Sequence, residues 1–215
     1  MQLSTGISAY LAKPASTPLG AVVVIQEIFG VNAHIRDLVD RFAAEGYVTI
    51  APALFDPVRQ GVELDYDTAG FDEGRALITE LGLERPLTDV RAAADAVSGY
   101  GKVGTVGYCW GGTLALLAAL RFGLPSVSFY GARNVPFLKE PLLAPVQFHF
   151  GADDKGIPAE MVAAHRAALP DMDVFVYEGA GHGFHCDRRA SFHAPSAALG
   201  WQRTLDFLRA QLGAA

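Results

Sequence analysis

Cys109 sits where a thiol can act as a nucleophile. The run Gly107-Tyr108-Cys109-Trp110-Gly111 follows an apolar stretch, Val103 to Gly107, and leads into another, Gly111 to Phe122. A strand, a sharp turn and a helix, with glycine two positions either side of the central residue, is the frame that holds a nucleophile at the tip of a turn. Glycines belong there because strand and helix come too close for side chains. At the start of the helix, the macrodipole favours the thiolate, the reactive form. A lone cysteine is more often a buried packing residue, and it is the glycine frame that points to chemistry.

A cysteine nucleophile needs a base, and the base needs an orienting group. Two loops that follow predicted strands offer them. One is Gly151-Ala152-Asp153-Asp154-Lys155-Gly156-Ile157-Pro158; the other is Glu178-Gly179-Ala180-Gly181-His182-Gly183-Phe184. His182, among three glycines, is the expected base. Of the other histidines, His149 reads as packing inside a strand, and His34 and His165 as surface residues on helices. His185 and His193 lie nearer but lack the strand-end glycine setting. Asp153 and Asp154 are adjacent, and composition alone does not choose between them. The chain order nucleophile, acid, base is that of α/β-hydrolases.

These loops must be positioned by a sheet. Strand candidates are 21–25, 47–51, 103–107, 125–130, 145–150 and 173–177, several of them apolar on both faces, as strands buried between helical layers are. Between them, Val31, Ile35, Leu38, Val39 and Phe42 recur at helical spacing, as do Leu87, Val90, Ala94 and Val97. A last helix is predicted over about 195–211. The alternation predicts an α/β fold of the α/β-hydrolase type, with a mostly parallel central sheet covered by helices on both faces. Residues 1–215 read as one domain. Ligands bind beyond the carboxyl ends of such strands, where both loops and Cys109 fall. The turn-rich stretch Phe55 to Gly70 shows no clear period and reads as an excursion over the sheet.

Composition narrows the function. With 51% hydrophobic and 19% charged residues the chain can build a large core. A net charge of −6, without a Lys/Arg block, argues against nucleic acid. No apolar run reaches the roughly 18–20 residues that span a bilayer, and the first residues do not resemble a secretory leader. Two cysteines make no disulfide framework, so a cytoplasmic protein with free thiols is expected.

The chain resembles the dienelactone hydrolases (carboxymethylenebutenolidases) nearly end to end. The resemblance rests on Gln26-Glu27-Ile28-Phe29-Gly30-Val31-Asn32, on Gly107 to Gly112, on Gly151-x-x-Asp154-x-x-Ile157-Pro158 and on Gly179 to Phe184. It implies Asp154 as the triad acid, and it gives Glu27 a role: the matching glutamate of the family hydrogen-bonds the resting cysteine and opposes its ionisation. It also implies an oxyanion hole from the backbone N–H groups of Ile28 and Trp110. One departure stands out. The family grips its substrate carboxylate with two arginines, one of them four residues after the histidine, where this chain has Cys186. That departure puts dienelactone itself in doubt and leaves Glu27 without the expected arginine partner. Arg75, Arg133 and Arg188 are candidates to restore a positive contact; Tyr108 and Tyr130 are further candidate substrate contacts.

The expectation is a hydrolase of small lactones or activated esters, needing no cofactor and working as a monomer or small homo-oligomer. A thioesterase or acyltransferase on the same triad is the alternative enzyme reading, and a non-catalytic binding protein the alternative of another class. A metal site from His182, His185, Cys186, Asp187 and His193 has suitable residue types but lacks paired ligand spacing, so no metal is expected.

Overall fold

We describe residues 1–213 in a computed structural model. Seven strands form one sheet in the order β1-β3-β2-β4-β5-β6-β7. They are β1 (Ala9–Ala12), β2 (Ala21–Ile25), β3 (Val48–Pro52), β4 (Val103–Tyr108), β5 (Ser126–Phe129), β6 (Val146–Gly151) and β7 (Val174–Tyr177). All neighbours pair in parallel except the edge strand β1, which runs antiparallel to β3. Six of the strands lie within a residue or two of the predicted runs. The seventh, β1, was not legible: it is four residues of Ala-Tyr-Leu-Ala with only its first residue buried.

The six helices are α1 (Ala33–Ala44), α2 (Thr68–Leu81), α3 (Glu84–Val97), α4 (Trp110–Phe122), α5 (Ala159–Ala168) and α6 (Ala194–Leu212). The valines of β2 are wholly buried, which a helix layer on each face requires. On one face α3 and α4 pack against each other over β2, β4 and β5. On the other, α1 and α6 meet through Phe42 and Trp201, whose rings lie 4.5 Å apart. No helix among the described residues is long and apolar enough to cross a membrane.

The excursion after Phe55 ends earlier than predicted. Asp67 caps α2 by accepting from the Gly70 N–H at 2.8 Å, so Phe71 to Arg75 lie inside a helix. Two glycines in its first two turns, Gly70 and Gly74, mask the helical pattern because glycine is a poor helix former. Gly74 has a spatial reason. A Cβ there would sit 2.1 Å from the Ile28 carbonyl oxygen, so its absence lets α2 rest against the chain just beyond β2.

Candidate active site

The turn after β4 holds Cys109 at φ 55°, one of only two non-glycine residues at positive φ among the described ones. Such a backbone is strained and persists only where its surroundings enforce it. Here the Cys109 N–H donates to the Phe129 carbonyl on β5 at 3.0 Å, and its own carbonyl accepts from Gly112. The glycine frame is needed sterically: a Cβ on Gly107 would meet the Gly111 carbonyl oxygen at 1.9 Å, and one on Gly111 would meet that of Ile25 at 2.4 Å.

Cys109, His182 and Asp154 come together. His182 Nε2 lies 3.2 Å from Cys109 Sγ, and His182 Nδ1 lies 2.7 Å from Asp154 Oδ2. The other Asp154 oxygen accepts from the Gly156 N–H at 2.8 Å. Asp154 is buried while Asp153 is exposed, which separates two residues that composition could not. Burial works against a charged His182. The Cys109 thiolate beside it and the bond to Asp154 outweigh that and push its pKa up to about 10. At neutral pH His182 therefore carries a proton on each ring nitrogen, the one at Nε2 facing the sulfur.

This trio opens onto a cleft of about 780 Å³, to which Ile28 and Trp110 both contribute. Among the described residues, neither the Ile28 nor the Trp110 N–H has a hydrogen-bond acceptor in the protein. Trp110 begins α4, where the N–H groups of a first turn have no partner within the helix. Both are therefore free to donate to a ligand. The cleft is also cationic, with Arg75, Arg133, Lys155 and Arg189 around it, in a chain of net charge −6.

Several expectations need correction. Glu27 is fully buried at the end of β2, but its carboxylate does not bond the cysteine. Its Oε1 accepts from Arg189 Nη1 at 3.2 Å, because a guanidinium is a stronger partner for a buried carboxylate than a thiol is. The loss of an arginine at Cys186 thus leaves Glu27 with an arginine after all, three residues further along. Arg189 sits with its guanidinium 5.7 Å from the Phe29 ring centre and 5.6 Å from that of Tyr66. Sequence reasoning missed it; the adjacent pair Arg188-Arg189 after His182 was the available signal. Arg188 itself is exposed and lines a different cleft.

Tyr108 and Tyr130 are not cleft residues. Tyr108 is buried and stacks on Phe129 at 5.0 Å. Tyr130, at φ 39°, is buried with its ring 5.1 Å from that of His182, a packing support for the imidazole. His34 and His165, expected at the surface, are both buried. His165 Nδ1 donates to the Met161 carbonyl, and the ring packs edge-on to Phe148 and Phe150. The five residues weighed as a metal site do not converge: His182 faces Cys109, His193 pairs with Ser196, and His185 lies 5.4 Å from the Tyr108 ring and 4.9 Å from that of Phe129.

The family model described as Dienelactone hydrolase family matches residues 7–212. The chain belongs to the dienelactone hydrolase family. Among its relatives, the carboxymethylenebutenolidase of Pseudomonas putida is 34% identical over 215 residues, 93% of this chain and 89% of that one. A provisionally named carboxymethylenebutenolidase of Synechocystis sp. is 37% identical over 230 residues, 96% of this chain and 92% of that one. A provisionally named dienelactone hydrolase from Klebsiella pneumoniae superposes with a TM-score of 0.84 at 35% identity, covering 96% of this chain and 93% of that chain. As a member of the dienelactone hydrolase family the protein is a hydrolase, and its mostly parallel sheet flanked by helices is the α/β-hydrolase fold.

Proposed function

We propose that this dienelactone hydrolase family member cleaves lactones or activated esters that carry a negative charge, through a thioester on Cys109. The observation that carries the reading is the bonded chain Cys109–His182–Asp154 opening onto a cleft edged by four cationic side chains. In this reading the Cys109 thiolate attacks the carbonyl carbon. The negative charge moves to the carbonyl oxygen, which the Ile28 and Trp110 N–H groups stabilise; one such donor is worth about 2.7–4 kcal/mol. As the tetrahedral intermediate collapses, His182 gives its Nε2 proton to the departing oxygen. His182, now neutral, takes a proton from water, which attacks the thioester and frees Cys109. Asp154 holds the imidazole in the tautomer that serves both steps.

Arg189 deepens the substrate reading. It is the cleft cation bound to a buried carboxylate, so an anionic substrate group would meet a guanidinium already fixed in place. Every group in this scheme comes from one chain, and the scheme calls on no cofactor. Both cysteines are free, which suits a reducing compartment such as the cytoplasm.

The test compares a neutral p-nitrophenyl ester, an acyl thioester and an enol lactone bearing a carboxylate. The lactone should give the highest kcat/KM, and Cys109→Ala should lower its turnover by roughly four to six orders of magnitude with an unchanged melting temperature. Wild-type rates in Cys109→Ala would remove the nucleophile assignment. Preference for the thioester would move the protein to the thioesterase reading.

A further inference from the structure

Behind the reaction cleft lies a second group of polar side chains that the proposed hydrolysis leaves unused. Glu27 at the end of β2, His34 on α1 and Cys186 in the loop after β7 are each buried. One ligand atom from each falls within 4.8 Å of the others. Their hydrogen bonding is incomplete, unlike that of His182 and Asp154. Glu27 Oε2 and both ring nitrogens of His34 have no hydrogen-bond partner among the described residues. Asp187 approaches His34 Nδ1 only at 3.5 Å and from an exposed position. Buried polar atoms are nearly always satisfied, so three orphaned atoms on two residues of one such cluster mark a place where something else can bind.

We infer that Glu27, His34 and Cys186 form a site for a divalent cation of the zinc class. Carboxylate, imidazole and thiolate are the three donor types zinc accepts, at about 2.0–2.3 Å. In a tetrahedral site two such ligands stand about 3.3–3.6 Å apart, so side chains whose ligand atoms lie within 4.8 Å of one another need to close by about 1 Å to bind one ion. The ligands come from three separate elements, and one is placed by a cap: Asn32 Oδ1 accepts from the Ile35 N–H at 3.2 Å at the start of α1. The Tyr66 ring lies 6.4 Å from that of His34, and its hydroxyl, beside Cys186 and Asn32, is placed to complete a fourth position.

His34 and Tyr66 also line a cleft of about 570 Å³ that carries Glu63, Asp65 and Asp67 against Arg188, with Glu63 paired to Arg36; its balance remains acidic, which favours the approach of a cation. Arg189 opposes a cation, but its guanidinium is on Glu27 Oε1 and leaves Oε2 free. On ligation the Cys186 thiol gives its proton to solvent, so the ion meets one thiolate and one carboxylate, two negative charges for its two positive ones. Glu27 belongs to this cluster and also holds Arg189, which lines the reaction cleft. An ion here would therefore sit within one residue of the proposed carboxylate-binding arginine.

The experiment uses Co²⁺ as a spectroscopic stand-in for Zn²⁺ in full-length Cys109→Ala, where Cys186 is the remaining thiol. The expected result is one equivalent bound with a sulfur-to-cobalt charge-transfer band, displaced by Zn²⁺. The band should vanish in Cys109→Ala/Cys186→Ser. Affinity should fall at least about tenfold when His34→Gln, which keeps the side chain's bulk, is added to Cys109→Ala. Circular dichroism confirms that each variant is folded, and no readout depends on turnover. Absence of the band at excess Co²⁺ overturns the site and leaves the orphan atoms to ordered water. A band whose strength His34→Gln does not change overturns it too.

Discussion

Glu27 divides two polar clusters of opposite character. In front, every polar atom of the His182 ring and the Asp154 carboxylate has a partner, down to the Gly156 N–H on the second Asp154 oxygen. Behind, Glu27 Oε2, both nitrogens of His34 and of His185, and the hydroxyls of Tyr66, Tyr108 and Tyr130 have none among the described residues. The front is charged and preorganised, which suits groups that must act in one geometry. The rear is held neutral by burial: the Cys186 thiol is pushed up to about 12 and His185 is pushed down to about 3. Polar groups packed this closely can thus serve rate on one side and sit silent on the other, according to whether their hydrogen bonds close.

The division predicts that substitutions in front change rate and those behind change stability. The largest effect is expected for Asp154→Asn. It keeps the shape but holds His182 in the wrong tautomer, and kcat should drop by about 10⁴, a larger loss than that of the stability carried by the Asp154–His182 bond. A loss of stability as large as the loss of rate would break the division. Arg189→Leu tests the wall between the clusters. It strands Glu27 as a buried charge, and breaking one side of a buried pair costs about 3–5 kcal/mol, discounted here because Arg189 is partly solvated. Adding Glu27→Gln should recover much of that stability in denaturant titrations but not the KM for a carboxylate-bearing lactone, which Arg189→Leu raises.

The smallest effect is in the pH dependence, and it differs in sign between the clusters. His182 has its folded pKa raised from about 6.5 to about 10. Its contribution to stability is complete below about 6.5 and is lost as pH rises through about 10. His185 has its folded pKa lowered to about 3 by burial, with His34 and Arg41 adding to it. The unfolded chain therefore takes up that proton first, and stability falls as pH drops from about 6.5 toward 3. Urea midpoints across pH should show both arms. His182→Gln should flatten the alkaline arm and His185→Gln the acid one; an acid arm unchanged in His185→Gln would show that the rear cluster is not buried as described.

The parts of this molecule that were legible in the sequence are those where one local rule acts alone. The β-branched runs of β2 to β6 are buried on both faces and look it, and the half-buried edge strand β7 still shows its Val-Phe-Val-Tyr run. The elbow is legible because its glycine frame is a fixed local pattern, Gly107 clearing the main chain of Gly111, although Gly111 also clears the Ile25 carbonyl on β2. Asp154 and His182 stand at strand ends, where the fold class says to look. What escaped needed tertiary knowledge. Arg189 reaches Glu27 across 162 positions of chain, and its own neighbourhood reads as a surface loop. His34 lies at the edge of the buried stripe of α1, three residues after Val31 and four before Leu38, and it reads as a surface residue only because its side chain is polar. The helix α2 was hidden by Gly70 and Gly74, which serve contacts with other segments at the expense of local propensity. Tyr108 and Tyr130 follow strand ends as ligand-binding residues do, yet their side chains turn inward.

Gly74 bears on how such an enzyme changes its diet over generations. The inner edge of α2 is pinned to the Ile28 carbonyl by the missing side chain, and the Ile28 peptide carries one of the two proposed oxyanion donors. Phe71 and Arg75, on the same helix, are exposed and border the cleft. Mutation can therefore rewrite the part of α2 that selects the substrate while the part that sets the oxyanion donor stays put. Recognition and rate are separable traits along one short helix, and a lineage can drift in the first without surrendering the second.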